Sequence, residues 1–251
     1  MPVSTAAISA DIAGTRQLRL TVLALTLNEL NGVQTILPQI DSAWYDQMIV
    51  VDGGSTDGTI EWCREHGYEV FIQKRRGIRF AYLEVLDRLC GEIVLTLSPD
   101  GNCDPAWIPV LAHRVRDGCD LVIGSRYKGD ARSEDDDLIT AFGNWLFTRT
   151  VNLLHGASYT DCMVIYRAFR RDLIYKLDLH RDESYRLPER LFRTVISWEP
   201  LMSVRAAKRR LRIDEIAVGE PPRLGGKRKL QILRWGAAYY FQFWRELWFW
   251  R

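Results

Sequence analysis

Short apolar runs rich in β-branched residues recur through the first half of the chain, each followed by an amphipathic stretch. Leu18–Leu27, Gln47–Asp52, Glu69–Ile72, Ile93–Leu97 and Leu121–Gly124 read as strands. Glu29–Ile40, Thr59–His66, Phe80–Cys90 and Pro105–Asp117 read as helices, with Pro105 suited to a first helical turn. This alternation predicts an α/β fold with a mostly parallel sheet covered on both faces. After Arg126 the rhythm changes. An acidic run, Ser133–Asp137, precedes a helix near Leu138–His155 and a short strand at Val164–Phe169, followed by further helices and a basic segment.

The chain has 251 residues, 47% of them hydrophobic, enough to bury one large α/β core. A net charge of +2 supplies no basic field for nucleic acid. Cys63, Cys90, Cys103, Cys119 and Cys162 are odd in number and widely spaced, which suits reduced thiols in a cytosolic compartment rather than a disulfide frame or zinc site. His66, His113, His155 and His180 show no ligand spacing. Residues 1–17 read as a flexible terminus without a leader-like apolar core, and no run approaches the ~18 apolar residues of a membrane span.

Two strand ends carry the chemistry. Asp52 closes an apolar run and is followed by Gly53-Gly54-Ser55-Thr56-Asp57-Gly58-Thr59, a turn whose glycines allow close backbone approach. Its carboxylate can accept hydrogen bonds from a base or ribose, although the same residues also suit an ordinary turn. The run Ile93–Leu97 ends in Ser98-Pro99-Asp100-Gly101-Asn102-Cys103-Asp104. Asp100, Asn102 and Asp104 are hard oxygen donors of the kind Mg²⁺ or Mn²⁺ takes alongside phosphates. In a parallel sheet both turns open on one edge, where open α/β sheets bind ligands. The first strand ends in Asn28-Glu29 without a Gly-x-Gly-x-x-Gly turn, and no Gly-Lys-Ser/Thr loop occurs, which excludes two common nucleotide sites.

Taken in order, Asn28-Glu29, the Asp52–Thr59 turn, Ser98-Pro-Asp100-Gly-Asn102, Gly124-Ser-Arg126-Tyr, Thr160-Asp161 and Tyr166-Arg167-Ala-Phe-Arg170 resemble family-2 glycosyltransferases. Arg223-Leu-Gly-Gly-Lys-Arg228-Lys229-Leu is similar to the Arg-x-x-Gly-x-Ser-Lys-Leu segment of the dolichyl-phosphate mannose synthase branch. The resemblance spans roughly residues 18–230. It implies a GT-A fold, Rossmann-like with a mostly parallel sheet sandwiched by helices, a GDP- or UDP-sugar donor, Mg²⁺ or Mn²⁺, and inversion at the anomeric carbon. It also implies a donor half over about 18–126 and an acceptor half over about 127–230.

Carried over by position, Asn28, Glu29 and Asp52 would hold the nucleobase and ribose, with Asp57 beside them. Asp100 matches the second acid of the family's Asp-x-Asp metal motif and Asn102 a following polar ligand. Ser98 stands at the first acid, which removes a charge from the metal site, and Gly53 replaces a frequent second Asp. Fixed cations would stabilise the leaving diphosphate, and Arg79, Arg126, Arg223, Arg228 and Lys229 are the candidates, the last three also for an acceptor phosphate. Asp161 is the candidate base for a hydroxyl acceptor, or else a capping aspartate, and Glu199 is a weaker second choice. The acidic run is a solvated loop or a lid over the donor.

Eight of the last thirteen residues, Tyr239–Arg251, are aromatic, and Lys227, Arg228, Lys229 and Arg234 precede them. This composition suits a helix over 231–251 lying in the headgroup layer. The alternative is packing through Leu230, Leu233, Ala237, Phe241 and Trp244 at helical spacing. The expectation is a peripheral enzyme on the cytoplasmic membrane face that transfers a sugar to a polyprenyl phosphate. Transfer to a glycan or glycolipid hydroxyl, a sugar-nucleotide-forming nucleotidyltransferase and a non-catalytic nucleotide-sugar binder are the alternatives. Homo-oligomerisation is left open.

Overall fold

The computed structural model describes residues 17–224 and 232–250. Arg228, Lys229, Leu230 and most of the expected flexible terminus lie outside them. The strands are β1 (Leu20–Thr26), β2 (Gln47–Asp52), β3 (Glu69–Ile72), β4 (Ile93–Leu97), β5 (Leu121–Ser125), β6 (Arg167–Arg170) and β7 (Ile213–Ala217). The helices are α1 (Leu30–Ile36), α2 (Thr59–Glu65), α3 (Ile78–Glu84), α4 (Ile108–Arg116), α5 (Leu138–His155), α6 (Leu173–Lys176), α7 (Glu183–Phe192), α8 (Glu199–Lys208) and α9 (Ile232–Phe249). The sheet order is β3-β2-β1-β4-β6-β5-β7. β1 pairs parallel with β2 and β4, and β7 parallel with β5. β6 inserts antiparallel between β4 and β5. This is the mostly parallel α/β sheet that the alternation predicts.

Local boundaries depart from the sequence expectations for identifiable reasons. The helix expected from Glu29 starts at Leu30 and breaks into a 3₁₀ turn at Leu37–Gln39, where Pro38 cannot donate to the helical ladder. Pro105 does open a turn, but a 3₁₀ one capped by the Asp104 carboxylate, which accepts the Ala106 amide at 2.9 Å. Asp104 is therefore a cap rather than a ligand facing the site. β7, not anticipated, reads as polar because Asp214 and Glu215 lie within it, yet Glu215 is buried. Its carboxylate accepts the amides of Thr160 and Asp161.

α9 has two faces. Ala238, Tyr239, Gln242, Phe243 and Glu246 are buried. The His155 ring donates to the Phe243 carbonyl at 3.0 Å, the Ser197 amide donates to the Tyr239 hydroxyl at 2.9 Å, and Gln242 Nε2 donates to the Ser184 carbonyl at 3.1 Å. The Arg205 Nε donates to Glu246 Oε2 at 2.8 Å, with both side chains closed to solvent. α9 packs on the rest of the fold, but not through the stripe the periodicity suggests. Leu233 is 87% exposed and Trp248 69% exposed, and Trp244 also faces out. The buried stripe is offset because Glu246, which a hydropathy pattern assigns to the surface, is drawn inward by Arg205.

Glu246→Ala leaves the Arg205 guanidinium buried and unpaired, a defect of roughly 3–5 kcal/mol. Thermal unfolding should shift down by about 2–4 °C for each kcal/mol lost in a chain of this size. An unchanged midpoint would show that α9 is not anchored by this pair.

Candidate active site

The carboxyl ends of β1, β2 and β4 are aligned by register: Thr26 lies opposite Asp52, and Ala24 opposite Leu97. The turns that follow are knitted together by side chains. Asp52 Oδ1 accepts the amides of Gly54 (2.8 Å) and Ser55 (2.7 Å), and Oδ2 accepts the hydroxyls of Thr26 (2.7 Å) and Ser55 (2.6 Å). Asp52 is fully buried, so its carboxylate builds the turn and its oxygens are spent there. Asn28, at a left-handed φ of 51°, accepts the Thr56 amide on its Oδ1 at 2.8 Å. The Asp57 carboxylate accepts the Leu30 and Thr59 amides, each at 3.1 Å. Partial burial opposes its ionisation, but these bonds and the Thr59 hydroxyl hold its pKa below the usual carboxylate value.

Beside these turns lies a cavity of about 300 Å³ lined by Ser98, Asp100, Asn102, Arg126 and Arg223, together with Asp135, Asp136, Glu199 and Glu220. The left-handed turn at Gly101 (φ +97°) brings Asp100 and Asn102 to the same side. Asp100 Oδ1 accepts the Asn102 amide at 3.2 Å, and Oδ2 lies 3.0 Å from Arg223 Nη2. Asn102 Nδ2 donates to Asp135 at 3.2 Å, while Asn102 Oδ1 is buried without a hydrogen-bond partner. An orphaned amide oxygen next to a carboxylate is a fitting donor pair for a hard divalent ion. Among the described residues no three Asp, Glu, His or Cys converge tightly enough to hold an ion by themselves. Further oxygens would have to come from a ligand.

Arg126 follows β5 and grips Asp161 bidentately, Nε to Oδ2 at 2.6 Å and Nη2 to Oδ1 at 3.1 Å. Its Nη1 lies 3.5 Å from Glu220 and 3.7 Å from Asp136. Burial opposes the guanidinium charge, but Asp161 and then Glu220 hold its pKa well above the usual value. Burial pushes the Glu220 carboxyl up, with Arg126 and the Ser133 hydroxyl opposing. Burial likewise raises Glu199, which accepts the Tyr82 hydroxyl.

Several expected residues lie elsewhere. Arg79 does not line the cavity: its guanidinium is buried, pairs with Asp182 at 2.6 Å and Glu189 at 2.8 Å, and stacks on Tyr185. Asp161 is closed to solvent behind Arg126. Only half of the acidic run is a solvated loop: Glu134 and Asp137 are exposed, whereas Asp135 and Asp136 line the cavity. Ser133 bridges to Glu220, Asp136 accepts from Tyr127 and Asn144, and Asp137 caps α5. Sequence reasoning places Asp135 and Asp136 only within the run read as a solvated loop or lid and does not single out Glu220; all three line the cavity. The one local signal was Asp137 as an N-cap, which pins its neighbours at a helix start.

A model of the family described as glycosyl transferase family 2 matches residues 23–178. The chain is 29% identical over 221 residues to a dolichyl-phosphate hexose transferase of Haloferax volcanii, covering 87% of this chain and 90% of that one. It is 26% identical over 242 residues to an undecaprenyl-phosphate mannosyltransferase of Micrococcus luteus, covering 88% and 95% respectively. The fold is similar to that of glucosyl-3-phosphoglycerate synthase from Mycobacterium tuberculosis, solved with Mn²⁺, UDP-glucose and phosphoglyceric acid. That likeness has a TM-score of 0.57 at 20% identity and covers 90% of this chain and 80% of that one.

Asp100→Asn preserves shape and deletes charge; turnover should fall by about 10²-fold or more, the scale of losing a principal electrostatic stabiliser. Turnover and metal dependence close to wild type would remove Asp100 from the chemistry. Ser98→Asp should tighten Mn²⁺ binding, measured by titration, if Ser98 stands at a ligand position.

Proposed function

The chain belongs to glycosyl transferase family 2, and on that premise we propose that it moves a sugar from a nucleotide-sugar onto a polyprenyl phosphate, with inversion at the anomeric carbon. The observation that carries the choice of acceptor is the engagement of Asp161. A hydroxyl nucleophile needs a positioned base, and the candidate base is locked in a bidentate pair with Arg126. Asp136, Glu199 and Glu220 are each hydrogen-bonded to a protein hydroxyl as well. A phosphate monoester is already anionic at neutral pH, with a second pKa of about 6, and needs no base. The names of the two relatives, a dolichyl-phosphate and an undecaprenyl-phosphate transferase, favour the same class of acceptor.

In this reading residues 18–126 form the donor half, with Asn28, Glu29 and the Asp52–Asp57 turn against the nucleoside, and 127–230 the acceptor half. Asp100 and Asn102 would hold a divalent ion, whose charge would offset that growing on the leaving diphosphate. Arg126 keeps a fixed positive charge in the cavity, and Arg223 is available to a phosphate oxygen. Arg228 and Lys229, assigned to the acceptor phosphate, lie outside the described residues.

The purified chain, given labelled nucleotide-sugar, should form lipid-linked sugar with a polyprenyl phosphate and none with the polyprenyl alcohol of equal chain length. Comparable transfer to the alcohol would overturn the phosphate reading and restore the search for a base.

We also assign the outward surfaces of α5 and α9 to a membrane. Both helices begin at the cavity, contributing Ile139 and Gly143, and Trp235 and Gly236, to its lining. Leu138 is 90% exposed and Leu153 83%, with Phe142 and Trp145 exposed between them; Leu233, Trp244 and Trp248 continue the surface on α9. α5 has no acidic residue, and the one acid of α9, Glu246, is buried, whereas Arg149 and Arg234 are exposed. An apolar and basic surface suits the headgroup layer of an anionic leaflet. Among the described residues no helix is long and apolar enough to cross a membrane. Replacing Trp145 and Trp248 by Ser should cut sedimentation with anionic liposomes while leaving the melting temperature unchanged. Sedimentation equal to wild type would sink this assignment without touching the acceptor chemistry.

A further inference from the structure

Arg223 sits where a cation is needed. Its Nη2 lies 3.0 Å from Asp100 Oδ2 and its Nη1 3.5 Å from Glu29 Oε1. Asp100 Oδ1 accepts the Asn102 amide, and Oδ2, which takes no amide from the turn, is the oxygen that Arg223 contacts. A divalent ion held at that oxygen would compete with the guanidinium for it. The contact is also built in by the backbone. The next residue's amide, Leu224 N–H, donates to the Asp100 carbonyl at 2.9 Å. The Leu224 side chain lies over Gly101, where a Cβ would come within 2.5 Å of Leu224 Cγ. Meanwhile Arg223 Nε is buried without a partner, so one guanidinium donor is unspent.

We propose that Arg223 is a positioning residue that holds the Asp100 carboxylate as a placeholder cation and yields it only when metal and diphosphate arrive together. The proposal rests on the metal role of Asp100. A metal ion arriving alone must displace the guanidinium and leave it beside a divalent charge. A nucleoside diphosphate gives the displaced guanidinium anionic oxygens to grip, the unspent Nε included, in the fork geometry arginine favours. Metal and diphosphate therefore bind with positive coupling, and Arg223 carries part of that coupling.

Mn²⁺ binding to the full chain, read from the paramagnetic resonance of the free ion with and without UDP or GDP, tests this directly. Arg223→Ala should bind Mn²⁺ alone about five- to tenfold more tightly than wild type, and the enhancement by diphosphate should shrink by a similar factor. Arg223→Lys, which keeps the charge but lacks the planar fork, should fall between. Asp100→Asn should lose Mn²⁺ in every condition. Unchanged or weaker Mn²⁺ binding by Arg223→Ala, with loss in Asp100→Asn, overturns the placeholder and leaves the metal role of Asp100 standing. Unaltered Mn²⁺ binding by Asp100→Asn overturns both.

Discussion

In-register parallel pairing of β1 with β2 and β4 is the constraint from which the site follows. Thr26 opposite Asp52 and Ala24 opposite Leu97 bring three strand ends to one edge. The residues after those ends cannot stay in the ladder, so their backbone groups must find other partners. Asp52 satisfies the second turn from within, and Asn28, Ser55 and Thr59 join it to the first. At the third turn a buried side-chain oxygen, Asn102 Oδ1, is left without a partner. The strand edge thus sorts itself into a rigid, saturated part suited to cradle a planar ligand and an unsaturated part suited to an ion.

Among the described residues, the two arginines that line the cavity differ in how firmly they are held. Arg126 is bidentate with Asp161, and Glu220 lies beside it. Charges that deep are retained only when geometry and hydrogen bonding repay their desolvation. Arg223 meets its carboxylates at 3.0 and 3.5 Å and is 20% exposed, so exchanging its partners costs less. One arginine is closed in a bidentate pair and the other is held by longer, partly exposed contacts to the same acidic surface.

Fold class and the two strand-end turns were legible in the sequence because their signals are local: apolar runs, glycine turns, and an Asp where a strand stops. The chain was also legible as a glycosyltransferase, through the order of those turns. The roles of single charges were not. Arg79 and Arg126 look alike in sequence, yet one is closed in a pair with Asp182 and Glu189 and the other faces the cavity. Those partners lie far along the chain, and no local pattern encodes such pairing. The same holds for α9, whose inward face is set by Arg205 on α8. Periodicity can mark a stripe of Leu233, Ala237 and Trp244, but not which side of the helix a distant arginine will claim.

The antiparallel insertion of β6 has a consequence for how the chain reaches this state. β3, β2, β1 and β4 come from one contiguous stretch, residues 20–97. β4 must then wait for Arg167–Arg170, because its outer edge is closed only by β6. Through that interval Ile93–Leu97, buried at every position in the finished sheet, is an open, apolar strand edge. Such edges pair readily with other chains, and long-range closures of this kind are slow. A half-sheet ending at β4 would expose this edge, and conditions that delay its pairing with β6 should favour aggregation through it.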